Sequence, residues 1–192
     1  MISGRRAALS LFAALAAQAL AAQPFGPADL MRQLAVVQSA QATFVETRHS
    51  ALLKEPLVLR GTLTYRRPAF LEKHVREPYD ERVAIDGDVL TMENRRGRKL
   101  KTSASGSPAI AGLVDGIRAT RAGDLAALER HFAILVDGRP ERWSMSLKPT
   151  DAELARHVAA IVFSGSQSRI ARVEVQETGG GRAVMEIDEE LK

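Results

Sequence analysis

Between residues 41 and 102 side-chain polarity alternates at a period of two, in segments separated by turns too short to hold a crossover. The alternating segments are 42–49, 57–67, 70–76, 81–86, 89–95 and 98–102, and the breaks between them carry Glu55-Pro56, Arg67-Pro68, Glu77-Pro78, Asp86-Gly87 and Arg96-Gly97. Strands joined this way run antiparallel, so this half of the chain is a meander. Strand spacing returns at Phe132, Ile134 and Val136, at Trp143, Met145 and Leu147, and over 158–164, 170–177 and 182–188. Gly179-Gly180-Gly181 joins the last two segments as a hairpin loop. A sheet of about eleven antiparallel strands curls, and its apolar inner face needs a cover.

The cover must come from an N-terminal helix and a central pair of helices. Leu30, Met31, Leu34 and Val37 recur at helical steps through 28–39. Ile110, Leu113, Val114 and Ile117 line one face of a central helix, with Ser107 suited to cap it and Pro108 to its first position. A short helix is expected over 124–130, and Thr150-Asp151-Ala152-Glu153 is a capping box opening another turn or two. The predicted architecture is α+β: an unclosed antiparallel half-barrel with an N-terminal helix and a central helical lid over an apolar cavity. The run 103–107, rich in serine and glycine, is expected to let the lid move.

The second alternating segment is the most informative. Leu57, Leu59, Leu63, Tyr65 and Arg67 share one face, and Val58, Arg60, Thr62, Thr64 and Arg66 share the other. Pro68 donates nothing to a ladder, so Arg67 ends the apolar face at its rim. An arginine there must reach solvent or find oxygen partners, and backbone carbonyls at the end of a lid helix would make it a latch. A plain edge arginine in solvent is the other reading.

The first 21 residues, with Arg5-Arg6, an apolar run and Ala19-Leu20-Ala21, form the three-part pattern of a secretory signal, and the mature domain is expected over 22–192. Export with no cysteine leaves no lipid attachment point, disulfide or thiolate metal site. The expected location is therefore the periplasm. Loss of Arg5 and Arg6 lowers the formal charge from +4 to +2, too little to argue for nucleic acid. The basic run Arg95-Arg96-Gly97-Arg98-Lys99-Leu100-Lys101 is local, a solvated hairpin or a contact for an anionic surface.

Catalytic signatures are absent: no nucleophile elbow, zincin helix, phosphate loop or dinucleotide fingerprint occurs. His49, His74, His131 and His157 are scattered without metal-ligand spacing, and Asp86-Gly87-Asp88 reads as a tight turn. The reading is a binding protein without covalent chemistry, cofactor or metal.

Ala42-Thr43-Phe44-Val45-Glu46-Thr47, Gly61-Thr62-Leu63-Thr64-Tyr65-Arg66-Arg67-Pro68 and Ile85-Asp86-Gly87-Asp88-Val89-Leu90, in this order behind a signal and a first helix, resemble the LolA family of periplasmic outer-membrane lipoprotein carriers. The resemblance implies a monomeric carrier that takes acylated cargo from an inner-membrane donor complex to an outer-membrane acceptor. It implies a lipid cavity lined by Phe44, Leu59, Leu63, Tyr65 and Leu71, by Leu90 and Met92 of the Asp-Gly hairpin, and by Trp143 and Met145. Ile110, Leu113, Val114 and Ile117 would be its lid, and Arg67, on the family's Arg-Pro arginine, its latch. Where the family tends to carry a tryptophan after that pair, this chain has Glu72-Lys73-His74, and typical carriers add a strand-forming segment beyond the equivalent of Lys192. The implied cargo is therefore lipoprotein acyl chains or another lipid. A lipid-sensing module that regulates a protein partner is the alternative use of the same half-barrel.

Overall fold

The computed structural model describes residues 25–104 and 108–191, with only the backbone described for 108–111, 113 and 189–191. The secretory-signal pattern and the expected cap Ser107 lie outside the described residues. Helix α1 (Pro27–Leu34) leads into strands β1 (Ser39–His49), β2 (Leu57–Arg66), β3 (Phe70–Glu77), β4 (Glu81–Asp86), β5 (Val89–Glu93) and β6 (Lys99–Ser103). Helices α2 (Pro108–Ala122) and α3 (Leu125–Glu129) follow, then β7 (Phe132–Arg139), β8 (Arg142–Pro149), the single turn α4 (Ala152–Ala155), β9 (Val158–Ser166), β10 (Arg169–Glu177) and β11 (Arg182–Leu191).

All eleven strands form one antiparallel sheet in the order β6-β5-β4-β3-β2-β1-β11-β10-β9-β8-β7. The sheet is unclosed, as the alternation predicts, because β6 and β7 are its two edges. The chain between those edges is α2 and α3, so topology alone carries the central helices from one edge of the sheet to the other.

Turn chemistry sets the strand boundaries. Gly87, Gly97 and Gly180 take left-handed backbone (φ +57, +71 and +83) in the hairpins after β4, β5 and β10. The first helix is shorter than the expected 28–39, ending at Leu34 with Ala35 as its cap. Residues from Ser39 onward are taken by the sheet, where β1 pairs with both β2 and β11, and Val37 packs with Ala40 and Tyr65 instead of continuing the helix.

The main core lies on the β7–β10 half. Leu30, Met31 and Leu34 of α1, Ala119 of α2 and Leu128 of α3 pack there with Phe132, Trp143, Met145, Leu147, Ile161 and Phe163. Helix α2 comes very close: a Cβ added at Gly116 would sit 2.7 Å from the Phe132 ring, and one at Gly112 would sit 3.0 Å from Leu154. Gly116 lets the helix axis approach where a larger residue would strike the Phe132 ring, and Gly112 leaves tight room for the Leu154 methyl.

In the other half, the β2–β3 register shifts between Arg60 and Gly61, with Arg76 of β3 as the extra residue. A Cβ at Gly61 would fall 1.9 Å from the His74 carbonyl oxygen and 2.9 Å from the Phe44 ring. Gly61→Ala must therefore push β3 away from β2. It is expected to cost about 2 kcal/mol, measured as a lowered urea midpoint with an unchanged slope; wild-type stability would contradict this packing.

Candidate functional site

The site begins at the rim of β2. Alternation in this strand leaves Leu59 and Tyr65 buried and Val58, Arg60 and Arg66 exposed. Past its end, the Arg67 amide donates to the Gln38 carbonyl at 2.9 Å, and Arg67 Nη2 donates to the Ala122 carbonyl at 2.6 Å. Ala122 is the last residue of α2. The final carbonyls of a helix lack intrahelical donors and carry the negative end of its dipole, so a guanidinium is well matched to them. Gly123, at φ +70, follows, and a Cβ there would lie 2.3 Å from the Met31 carbonyl oxygen, which sets the end of α2 tightly on α1.

Two more arginines tie α2 to the same half of the sheet. Arg118 Nη1 donates to the Gly87 carbonyl in the β4–β5 turn at 3.2 Å, and the Arg121 guanidinium sits 5.1 Å from the centre of the Tyr65 ring. Helix α2 is thus held asymmetrically. Close apolar packing fixes it to the β7 side, and the contacts found on the β2–β5 side come from arginines.

The residues expected to line one cavity are divided among several places. Phe44 and Leu59 pack with Val75, with Leu63 at the margin. Tyr65 packs with Val37 and Ala40, with Leu71 beside them. Trp143 and Met145 belong to the main core beneath α1 and α3. Leu90 is buried, whereas Met92 is 39% exposed. Of the lid residues, Val114 is buried and Ile117 packs against the main core; the side chains of Ile110 and Leu113 lie outside the described residues.

An open cleft of about 720 Å³ lies at the tips of β8–β10, lined by Trp143, Gly138, Gly165, Ile170 and Ile187 with Arg142 and Arg169 at hand. Its size is in the range of small-ligand sites, roughly 300–1,000 Å³. Trp143 is fixed there by donation from Nε1 to the Gln167 carbonyl at 2.9 Å. A Cβ at Gly165 would lie 2.7 Å from the indole, so the glycine makes room for that ring.

Sequence reasoning missed a buried charge cluster on the inner face. Glu46, 3% exposed, shares the inward parity of Ala42 and Phe44 on β1, and its carboxylate binds both Lys73 Nζ and Arg48 Nε. Lys73 is opposite Leu63 in the β2–β3 register, which puts it on the same face, and its ammonium lies 5.0 Å from the centre of the Phe44 ring. The signal was present, a carboxylate and an amine each at inward parity, but alternation does not say which charges meet across an intervening strand.

Burial alone would raise the Glu46 carboxyl, but Lys73 and Arg48 outweigh it and hold it below its ordinary value of 4.5. Lys73 goes the other way: burial pushes its ammonium below 10.5, Glu46 opposes, and Arg48 adds to the fall. One carboxylate serves two cations, so the lysine is the less compensated partner.

Removing Glu46 strands the Lys73 ammonium, whereas removing Lys73 leaves Glu46 paired with Arg48. Glu46→Gln should cost about 3 kcal/mol and Lys73→Met less, and the Glu46→Gln/Lys73→Met double variant should cost less than their sum. Because the folded Glu46 value is depressed, its stabilisation is complete above about pH 4.5 and is lost as pH falls through the folded value. Urea unfolding across the acid range reads both effects; additive losses, or an acid slope unchanged in Glu46→Gln, would contradict the coupling.

The family model for outer membrane lipoprotein carrier proteins of the LolA-like type matches residues 3–184. No curated protein matches the chain. Among solved structures, it is similar to a LolA superfamily protein from Nitrosomonas europaea, at 9% identity and TM-score 0.48, covering 87% of this chain and 94% of that one. It is also similar to a DUF1329 family protein from Desulfovibrio piger, at 10% identity and TM-score 0.47, with 86% and 92% covered. A third is MucB, at 13% identity and TM-score 0.48, with 86% and 58% covered; MucB is also solved with MucA from Pseudomonas aeruginosa. With the family match running through nearly all of its length, the chain belongs to the LolA-like family of outer membrane lipoprotein carrier proteins.

Proposed function

We propose that this protein is a periplasmic lipid carrier. It holds acyl chains of a lipoprotein or another lipid against the inner face of the half-barrel and delivers them toward the outer membrane. No bond is made or broken; cargo burial supplies affinity at about 0.8 kcal/mol per methylene. In this reading the cargo passes from an inner-membrane donor complex to an outer-membrane acceptor, and the family's name supports the outer membrane as the destination.

The observation that carries this reading is the 2.6 Å hydrogen bond from Arg67 to the Ala122 carbonyl. It joins the rim of the sheet to the end of a helix that lies between the two sheet edges. In this reading α2 is the lid, hinged where Gly112 and Gly116 pack tightly and released where arginines hold it. Cargo entering from the β2–β5 side breaks the Arg67 contact, and re-forming that contact favours release. An exposed charge-assisted hydrogen bond is worth about 1 kcal/mol, which biases the open and closed states about fivefold. A latch of that size is reversible.

The test is to purify the mature protein, extract it with organic solvent and measure the extract by mass spectrometry. Wild type should yield acylated lipid, and Arg67→Leu should retain about fivefold more because the closed, empty state loses its bond. Equal loads in the two proteins would contradict the latch. Lipid-free extracts from both would contradict the carrier.

A further inference from the structure

Part of the inner face of the sheet is exposed among the described residues. Val83 of β4, Met92 of β5 and Leu100 of β6 are paired in register, and they are 36%, 39% and 57% exposed. Direct partners across antiparallel strands share a face, so the three form one apolar row running to the sheet edge. The row is unexplained by the core, since none of its residues belongs to a packed cluster among the described residues.

Cations surround that edge. Arg95, Arg96 and Arg98 occupy the β5–β6 turn, which Asn94 organises by accepting from the Arg96 and Arg98 amides at 3.0 and 3.2 Å. Lys99 and Lys101 flank Leu100 on β6, every residue of which is exposed. Two carboxylates reach into the group: Glu93 lies 3.5 Å from Lys99, and Asp80, which bonds His74, feels Arg95. Arg96, Arg98 and Lys101 make no ion pair among the described residues. The hairpin therefore presents uncompensated positive charge beside a row of exposed apolar side chains.

An edge strand also carries unpaired backbone groups, which a second strand could satisfy. Lysines on an edge strand discourage such pairing, and here they alternate with the one apolar residue. The surface is better matched to a bilayer. Long lysine and arginine side chains reach phosphates, Leu100 and Met92 rest at the acyl boundary, and the free backbone groups stay in the hydrated headgroup layer. No helix among the described residues is long and apolar enough to cross a membrane, and this contact does not need one.

We propose that the β5–β6 edge is a docking face for anionic lipid bilayers, on which the protein lies edge-on through Arg95, Arg96, Arg98, Lys99 and Lys101 around Leu100 and Met92. Docking goes beyond cargo binding: it uses the sheet edge remote from the Trp143 cleft and does not require the Arg67 contact. It would set the open end of the apolar row, at Leu100, on the membrane surface.

Co-sedimentation with lipid vesicles tests this. The mature protein should sediment with vesicles containing one-third phosphatidylglycerol and not with pure phosphatidylcholine, and high salt should release it. The triple variant Arg96→Gln/Arg98→Gln/Lys101→Gln, its fold checked by circular dichroism, should partition about 100-fold more weakly, at roughly fivefold per removed cation. Leu100→Ser should weaken binding while keeping the salt dependence. Arg67→Leu should sediment as wild type, which separates docking from cargo loading. Equal binding to both vesicle types, or an unaffected triple variant, overturns the proposal. Failure to sediment combined with retention on immobilised poly-glutamate overturns it in favour of an acidic protein partner.

Discussion

Ten consecutive residue pairs, from Ala40–Leu191 to His49–Arg182, join the first strand to the last. Because β1 and β11 meet at the middle of the sheet, the strands at its edges are the two that flank the helical insertion. The break in the barrel and its helical cover are thus produced by one ladder. If the ends of the sheet closed instead, α2 would have no edge-to-edge course to follow, and Arg67 would have no helix terminus to meet.

The two sides of α2 differ in the kind of force that holds them. On the β7 side Gly112 and Gly116 bring the helix against Leu154 and Phe132, and each buried methylene lost there would cost about 0.8 kcal/mol with a cavity cost added. On the β2–β5 side, Arg67 and Arg118 bond carbonyl oxygens and Arg121 faces an aromatic ring, at about 1 kcal/mol each. Motion of the helix should therefore pivot on its apolar side. The inner face it would uncover is not uniformly greasy, because Glu46 and Lys73 interrupt it next to Phe44. A cargo chain crossing that ion pair would meet a polar spot, so acyl chains are better accommodated along the rows above and below it.

Period-two alternation made the sheet legible, down to the burial of Leu59 and Tyr65 on one face of β2 and the exposure of Val58, Arg60 and Arg66 on the other. It made the antiparallel order legible too, since the hairpins from β1 to β6 are short and carry Pro and Gly where the chain must turn. What it could not convey was coverage. Trp143 and Met92 both face inward, yet one lies under α1 and α3 and the other lies open, because helix placement is decided by long-range packing. Helix length was also underread: the apolar periodicity of α2 stops at Ile117, whereas the helix continues through Arg118 and Arg121 to Ala122, a final turn that makes its contacts through arginines. The partner of Arg67 lies in that turn. Glu46 and Lys73 were hidden for a related reason, since their meeting depends on the stagger of three strands.

On the proposed carrier reading, α2 swings away from the β2–β5 half when lipid enters. The chain has no cysteine, so spin labels can be placed cleanly at Asp115→Cys on α2 and Arg76→Cys on β3. Double electron–electron resonance should report one short distance in delipidated protein and a longer population on addition of a dipalmitoyl lipopeptide. An unchanged distance distribution in protein shown to hold the lipopeptide would contradict the account.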